Sequence, residues 1–383
     1  MTVPSLHELT VGFLIDRWEP ARGGAERALA RFARHLLGRG ARVLAFAERA
    51  DADAPGEHVR VRTRGLTRVA RERRLAERLV AAAESARCDV TIGVRHLSRV
   101  DVFWPHGGAL VPALRARELA RGGDPERAVR GRFRAFLEFE RELLGGGARR
   151  VVCVSRLVER EFELAYPTSR ARLVRVDNGV DLERFRPTLR ATLGAATRRE
   201  LALDGPLIAF AARDPELKGL ATLLAALARL RDRPWGLVVA GPRSPARWQR
   251  LARELGLAER VAWRAELDPA ALWTAADVCA APTFRDTSGL VILEALACGT
   301  PVITTAAAGA AELVVRREQG TVLPRPGDAD ALAAALAERI EAARAGSRGD
   351  VDPEAERELV RSAVLGRGED AWLAALTEVV TSL

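Results

Sequence analysis

The sequence predicts an α/β protein made of two Rossmann-like domains facing across a cleft. Three observations carry that expectation. The chain has 383 residues, more than one ordinary core holds and suited to two domains of under about 200 residues each. Hydrophobic residues make up 48% and charged residues 29%, the balance of a chain that buries a core rather than one that stays unfolded. Short apolar runs alternate with amphipathic stretches of helical period, and this rhythm starts twice, as two parallel α/β layers require.

In the first half, apolar runs at 10–16, 42–47, 88–93, 101–104 and 150–154 predict strands, with helical patterns notably at 24–37 and 68–86. In the second half, 206–211, 235–240, 260–263, 277–280 and 301–304 predict strands, separated by helices at 220–231, 246–254, 288–298 and 328–343. Phe185-Arg186-Pro187 and the arginine-rich piece running to Glu200 separate the two series. The expected domains are therefore 1–186 and 187–365. A last helical pattern, 370–380, follows the Gly366-Arg367-Gly368 break, and 366–383 is expected to return to the first domain.

The net charge of +9 is unevenly placed: residues 1–185 carry +10 and residues 186–383 carry −1. Such asymmetry fits either an anionic partner for the first half or a general habit of using arginine. Cys88, Cys153, Cys279 and Cys298 lie far apart in apolar stretches, as buried free thiols do. No apolar run reaches the roughly 20 residues of a spanning helix, and the first residues do not read as a signal peptide. The expected location is cytoplasmic, with contact to the inner membrane face left open.

Two glycines, Gly23 and Gly24, stand between the first strand and its helix, where free N–H groups can face an anion. Neither G-x-G-x-x-G nor G-x-x-x-x-G-K-[ST] occurs, which counts against a dehydrogenase and a P-loop ATPase. Arg213 and Lys218 fall in the loop after the strand at 206–211, at the carboxyl end where open α/β sheets bind ligands. Lys218 is the only lysine of the chain, a compact ammonium among guanidinium groups. Further on, Asp286, Ser288 and Gly289 precede a predicted helix, and Glu294 follows Asp286 by eight residues. Backbone N–H groups around Gly289, Leu290 and Val291 suit a phosphate, and the two carboxylates suit sugar hydroxyls.

This stretch resembles the E-x7-E motif of retaining GT-B glycosyltransferases of glycosyltransferase family 4. Asn178-Gly-Val-Asp181-Leu-Glu-Arg-Phe185-Arg-Pro187 is similar to that family's hinge segment, Arg213…Lys218-Gly219 to its diphosphate clamp, and Gly23-Gly24-Ala25-Glu26 to its glycine loop. Val154-Ser155 resembles the pair before the last helix of the acceptor domain. The resemblance spans essentially the whole chain in the right order. It implies that Arg213 and Lys218 hold the donor diphosphate, Glu294 the ribose and Asp286 the donor sugar, with the Ser288–Val291 backbone touching sugar and phosphate. His106, after the strand at 101–104, matches the family's active-site histidine. Asp286 departs from the family's usual Glu and reaches about one methylene less far.

The implied activity is retaining hexosyl transfer from a nucleotide-sugar, a UDP-sugar foremost, needing neither cofactor nor metal. The 94–109 and 277–294 segments resemble the lipopolysaccharide-core glucosyltransferase branch most, which implies a cell-envelope glycan or glycolipid acceptor. The arginine-rich stretch 114–144 reads either as a basic amphipathic helix on an anionic membrane or as an ordinary domain helix with a solvated face. A sugar-nucleotide epimerase of the same fold and a non-catalytic nucleotide-binding homologue are the rival readings. A nucleic-acid partner is not expected, because no recognition module accompanies the charge.

Overall fold

The computed structural model describes residues 6–20, 23–65, 67–95, 97–242, 244–346 and 352–383. The chain divides into two compact units, one of 1–115, 126–177 and 370–383, the other of 116–125 and 178–369.

The first unit runs β1 (Thr10–Leu14), β2 (Arg17–Trp18), α1 (Gly24–Gly38), β3 (Arg42–Ala47), β4 (Arg49–Ala50), β5 (Glu57–Arg60), α2 (Arg68–Ser85), β6 (Val90–Gly93) and β7 (Val100–Phe103). It continues through α3 (Leu110–Ala120), whose residues from 116 on belong to the other unit, and then α4 (Arg132–Glu142), β8 (Ala148–Cys153), α5 (Arg156–Ala165) and β9 (Leu173–Arg175). Its main sheet is parallel, in the order β5-β3-β1-β6-β7-β8-β9. Central strands are covered on both faces, so Val11, Phe13, Leu14, Val151, Val152 and Cys153 form near-continuous buried runs, as parallel sheets require. Thr67 and Ser155 cap α2 and α5, their hydroxyls accepting from Ala70 and Val158 N–H.

The second unit holds α6 (Leu193–Leu201), β10 (Leu207–Ala211), α7 (Leu220–Ala228), β11 (Gly236–Ala240), α8 (Ala246–Glu254), β12 (Val261–Arg264), α9 (Pro269–Ala275) and β13 (Val278–Ala281). Then come α10 (Leu290–Ala297), β14 (Val302–Thr305), β15 (Gly320–Leu323), α11 (Ala329–Gly346) and α12 (Pro353–Arg361). Its sheet is parallel, ordered β12-β11-β10-β13-β14-β15. The order reverses between β10 and β13, which makes the mouth above those two strands the topological switch point. The last helix, α13 (Glu369–Thr381), places Trp372, Leu373, Leu376, Val379 and Val380 in the first unit's core.

Two sequence expectations change. The first unit ends at Asp177 rather than 186: Val180 bridges to Gly368, and Phe185 packs in the second core. The basic stretch 114–144 is not one helix. Glycines at 122, 123 and 131 lie between α3 and α4, and glycine is a poor helix former. The apolar side of the later part is buried, with Phe139, Leu143 and Leu144 in the first unit's core. Cys153, Cys279 and Cys298 are buried thiols and Cys88 is half-buried. Among the described residues no helix is long and apolar enough to cross a membrane.

Candidate active site

The second unit's switch point is built from two loops sewn together. One follows β10 and leads into α7; the other follows β13 and leads into α10. Phe284 N–H donates to Leu217 O at 2.9 Å, and the Thr283 hydroxyl to the same oxygen at 3.3 Å. Gly219, the N-cap of α7, has φ +80°. A Cβ there would lie 2.1 Å from Pro282 O, so both conformation and space demand glycine. A third loop completes the cradle: Asp286 N–H donates to Ala307 O at 3.0 Å, and Gly309 N–H to Asp286 O at 2.8 Å.

These bonds fix Lys218 opposite Asp286. The ammonium Nζ lies 2.7 Å from Asp286 Oδ2 and donates to Arg285 O at 3.3 Å. Asp286 Oδ1 accepts from Gly289 N–H at 2.9 Å and Ser288 N–H at 3.4 Å. Burial pushes the Asp286 carboxyl up, but the Lys218 ammonium and these two N–H groups outweigh it and hold the group below the usual carboxylate range. The residues expected to meet the sugar and the diphosphate separately are thus partners of each other. The shorter aspartate also turns back to cap its own loop. Helix α10 begins at Leu290, after Gly289 at φ +79°, rather than at 288.

Helix α10 bonds internally from Ile292 and Leu293, whose N–H groups both reach Gly289 O. The amides of Leu290 and Val291 precede that ladder and give the first turn its anion-binding character. Glu294 is half-buried on α10, and its Oε2 accepts from the Trp273 indole N–H at 3.1 Å. Ser288 Oγ accepts from Asn178 Nδ2 at 2.9 Å. Arg213 is exposed on the loop that carries Lys218. The arrangement joins Lys218, Asp286, Ser288 and Gly289 by direct bonds. Asn178 and Trp273 join the site beyond the residues the sequence marks for it. Asn178 carried a signal in its Asn-Gly pair, whereas nothing in the local pattern marks Trp273.

Gly23, Gly24 and His106 belong to the first unit. Gly23 is the N-cap of α1, its carbonyl accepting from Arg27 N–H at 3.1 Å. His106 follows β7 in a turn closed by Gly108 N–H to Pro105 O at 2.8 Å. Its ring centroid lies 4.5 Å from that of Trp104. Burial pushes its pKa down to about 3, so the imidazole is neutral at ordinary pH.

Known proteins share this architecture. A crystal structure of WaaG, described as a glycosyltransferase involved in lipopolysaccharide biosynthesis, superposes with a TM-score of 0.82 at 22% identity, covering 97% of this chain and 100% of that one. Anabaena HepE in complex with UDP-glucose gives 0.73 at 19% identity, covering 98% and 100%. Residues 22–184 match the family model Glycosyltransferase Family 4, and residues 205–342 match Glycosyl transferases group 1. This is the GT-B fold of the family 4/group 1 glycosyltransferases. Among curated relatives of this GT-B chain, a D-inositol 3-phosphate glycosyltransferase of Nocardia farcinica is 34% identical over 262 residues, 63% of this chain and 55% of the relative. Another, from Catenulispora acidiphila, is 33% identical over 229 residues, 55% and 51%. The chain thus spans about half the length of the curated relatives it matches.

Proposed function

We propose that the protein is a retaining hexosyltransferase that takes its sugar from a nucleotide-sugar, a UDP-sugar foremost. The observation that carries this reading is the Lys218 ammonium, fixed at the switch point beside the opening turn of α10. A diphosphate entering there meets an oriented cation and helix-end amides that need little rearrangement. As the sugar–oxygen bond breaks, negative charge gathers on the leaving phosphate and Lys218 stabilises it. Arg213, on the same loop, adds a second cation. Glu294, oriented by Trp273, accepts from the ribose hydroxyls, and Asp286 faces the donor sugar once the diphosphate has drawn Lys218 toward itself. His106 of the first unit, held neutral, is assigned as a hydrogen-bonding group that adds no charge.

The proposed acceptor is a cell-envelope glycan or glycolipid, of which a lipopolysaccharide core is one kind; the full-length likeness to WaaG supports that choice. A second acceptor class, a phosphorylated cyclitol, is favoured by the relatives named for inositol 3-phosphate. The test is calorimetry with UDP, GDP and ADP, followed by diphosphate release from the matching sugar donors with each acceptor class. Tight UDP binding with acceptor-dependent release supports the reading. Donor consumption without any acceptor indicates epimerisation or hydrolysis, and binding without turnover on either class indicates a non-catalytic homologue.

A further inference from the structure

At the amino ends of the second unit's strands, opposite the donor loops, lies a cavity of about 260 Å³. Asp277 and Pro301, which immediately precede β13 and β14, line it, whereas the loops of Lys218 and Asp286 leave the other ends of the strands. Arg190, Arg339 and Arg357 also face it, with Glu356 beside them. Behind the wall, Arg198 pairs with Asp277.

The charges do not balance. Asp277 is shared: Arg190 Nη2 lies 2.5 Å from one oxygen, and the other takes Arg198 and the Leu207 N–H, the latter at 2.8 Å. That leaves Glu356 as the other acid of the lining. Arg339 is 6% exposed, and its two terminal nitrogens donate to the backbone oxygens of Glu318 and Arg317. Its Nε has no hydrogen-bond partner among the described residues. The Arg357 guanidinium makes no hydrogen bond or ion pair among the described residues. Burial, and then the neighbouring Arg190, push its pKa down to about 10, with Asp277 and Glu356 offsetting this only in part. The backbone of Arg357 is held close to α10, since a Cβ on Gly299 would sit 2.9 Å from Arg357 O. A half-buried guanidinium that shares a cavity with other guanidinium groups and has no bonded acid gains from an anion that joins it.

We propose that this cavity binds a phosphate group, either free phosphate or the phosphate monoester of a small metabolite, at a site separate from the donor loops. A phosphate dianion supplies the missing charge and matches the planar fork of a guanidinium, with Arg357 and the Arg339 Nε as its donors. The space is smaller than the roughly 300–1,000 Å³ of drug-sized pockets, which favours a small anion over a whole nucleotide.

The test is calorimetry with inorganic phosphate and with glycerol 3-phosphate on the wild type, Arg357→Ala and Lys218→Ala. Wild type and Lys218→Ala should both bind, and Arg357→Ala should lose about ten- to a hundredfold in affinity, the usual weight of a charged hydrogen bond. Without ligand, Arg357→Ala should melt no lower than wild type, because an unpaired charge has been removed. Tighter binding of the monoester identifies a metabolite as the source, and tighter binding of inorganic phosphate identifies the free ion. The proposal is overturned if wild type binds neither probe at millimolar concentration, if Arg357→Ala binds as well as wild type, or if Lys218→Ala abolishes binding. An Arg357→Ala variant that melts well below wild type would equally overturn it, by showing that Arg357 is structural.

Discussion

Replacing Lys218 by alanine separates the two roles the geometry gives that side chain. Read from sequence alone, a loop lysine has little structural weight, and the change should leave stability untouched. The structure argues otherwise. Two unit charges 2.7 Å apart attract by about 6 kcal/mol at an effective dielectric near 20. Desolvation of both ions cancels most of that, and the side chains keep 26% and 17% exposure. A net coupling of about 1–3 kcal/mol is the reasonable expectation for so partial a burial. Lys218→Ala should therefore lower Tm by several degrees, at about 2–4 °C per kcal/mol for a unit of this size. The pH dependence has a definite sign. Asp286 has a depressed folded pKa, so its contribution is present above the unfolded value and lost as pH falls through the folded one. The gap between wild type and variant should be full at pH 7 and close below about pH 4. In the double variant with Asp286→Asn much of the loss should return. Turnover should fall separately, by about 10²–10³ in kcat, as expected for a lost electrostatic donor to the leaving group. Melting curves across pH, a double-mutant cycle and steady-state kinetics measure these effects. Strictly additive stability effects of the two substitutions would refute the ion pair, and turnover within a few-fold of wild type would refute the diphosphate role.

The remaining expectations concern other parts of the site. Glu294→Gln should weaken nucleoside diphosphate binding by about tenfold or more, and nucleotide binding to wild type should alter Trp273 emission as its acceptor is redirected; unchanged affinity in calorimetry would remove the ribose role. Gly219→Ala should destabilise by at least about 1–3 kcal/mol from backbone strain, with further loss from the clash with Pro282 O, whereas Gly107→Ala, with nothing within 4 Å of its new Cβ, should melt like wild type. The folded chain leaves His106 unprotonated down to about pH 3 while the unfolded chain takes up a proton near pH 6.5, so this group's contribution is full above 6.5 and declines below it; the stability gap between wild type and His106→Gln should narrow by roughly 2 kcal/mol from pH 7 to pH 5, and a constant gap in denaturant titrations would contradict that. With the apolar side of residues 139–144 buried, adsorption to anionic vesicles should rest on charge alone and vanish in co-sedimentation as salt rises; salt-resistant binding would show an apolar anchor.

Central strands were legible because parallel sheets bury both faces: Leu207–Phe210 and Leu237–Val239 are unbroken apolar runs. Of the strands the pattern does not mark, β5, β9 and β15 lie at sheet edges, and the two-residue β2 and β4 pair with each other. Glu57-His58-Val59-Arg60 needs no apolar run, because its outer side meets water. In the stretch 114–144, crowded arginines and apolar residues at helical spacing say nothing of whether one axis continues, and the glycines between α3 and α4 decide it. At the site, glycine punctuation located the loops of Lys218 and Asp286. Their pairing was hidden, since it joins residues 68 positions apart through bonds between Leu217, Thr283 and Phe284. The Trp273–Glu294 contact was hidden for the same reason.

The placement of α13 has a consequence for how the chain matures on the ribosome. Its five core residues complete the first unit, yet they are translated after the whole second unit. The nascent first sheet must therefore wait with part of its apolar surface uncovered. Relief comes from the second unit itself. Val180 N–H donates to Arg367 O at 2.9 Å, and Val180 bridges to Gly368, so folding of the second unit brings the two crossing points of the chain together. The late helix is then delivered by a short tether instead of a long search, and most of the loop-closure entropy has already been met. Maturation should accordingly run from the second unit to the first, against the order of synthesis. A chain ending before residue 369 would leave the first unit open to chaperones and proteases while the second remains sound.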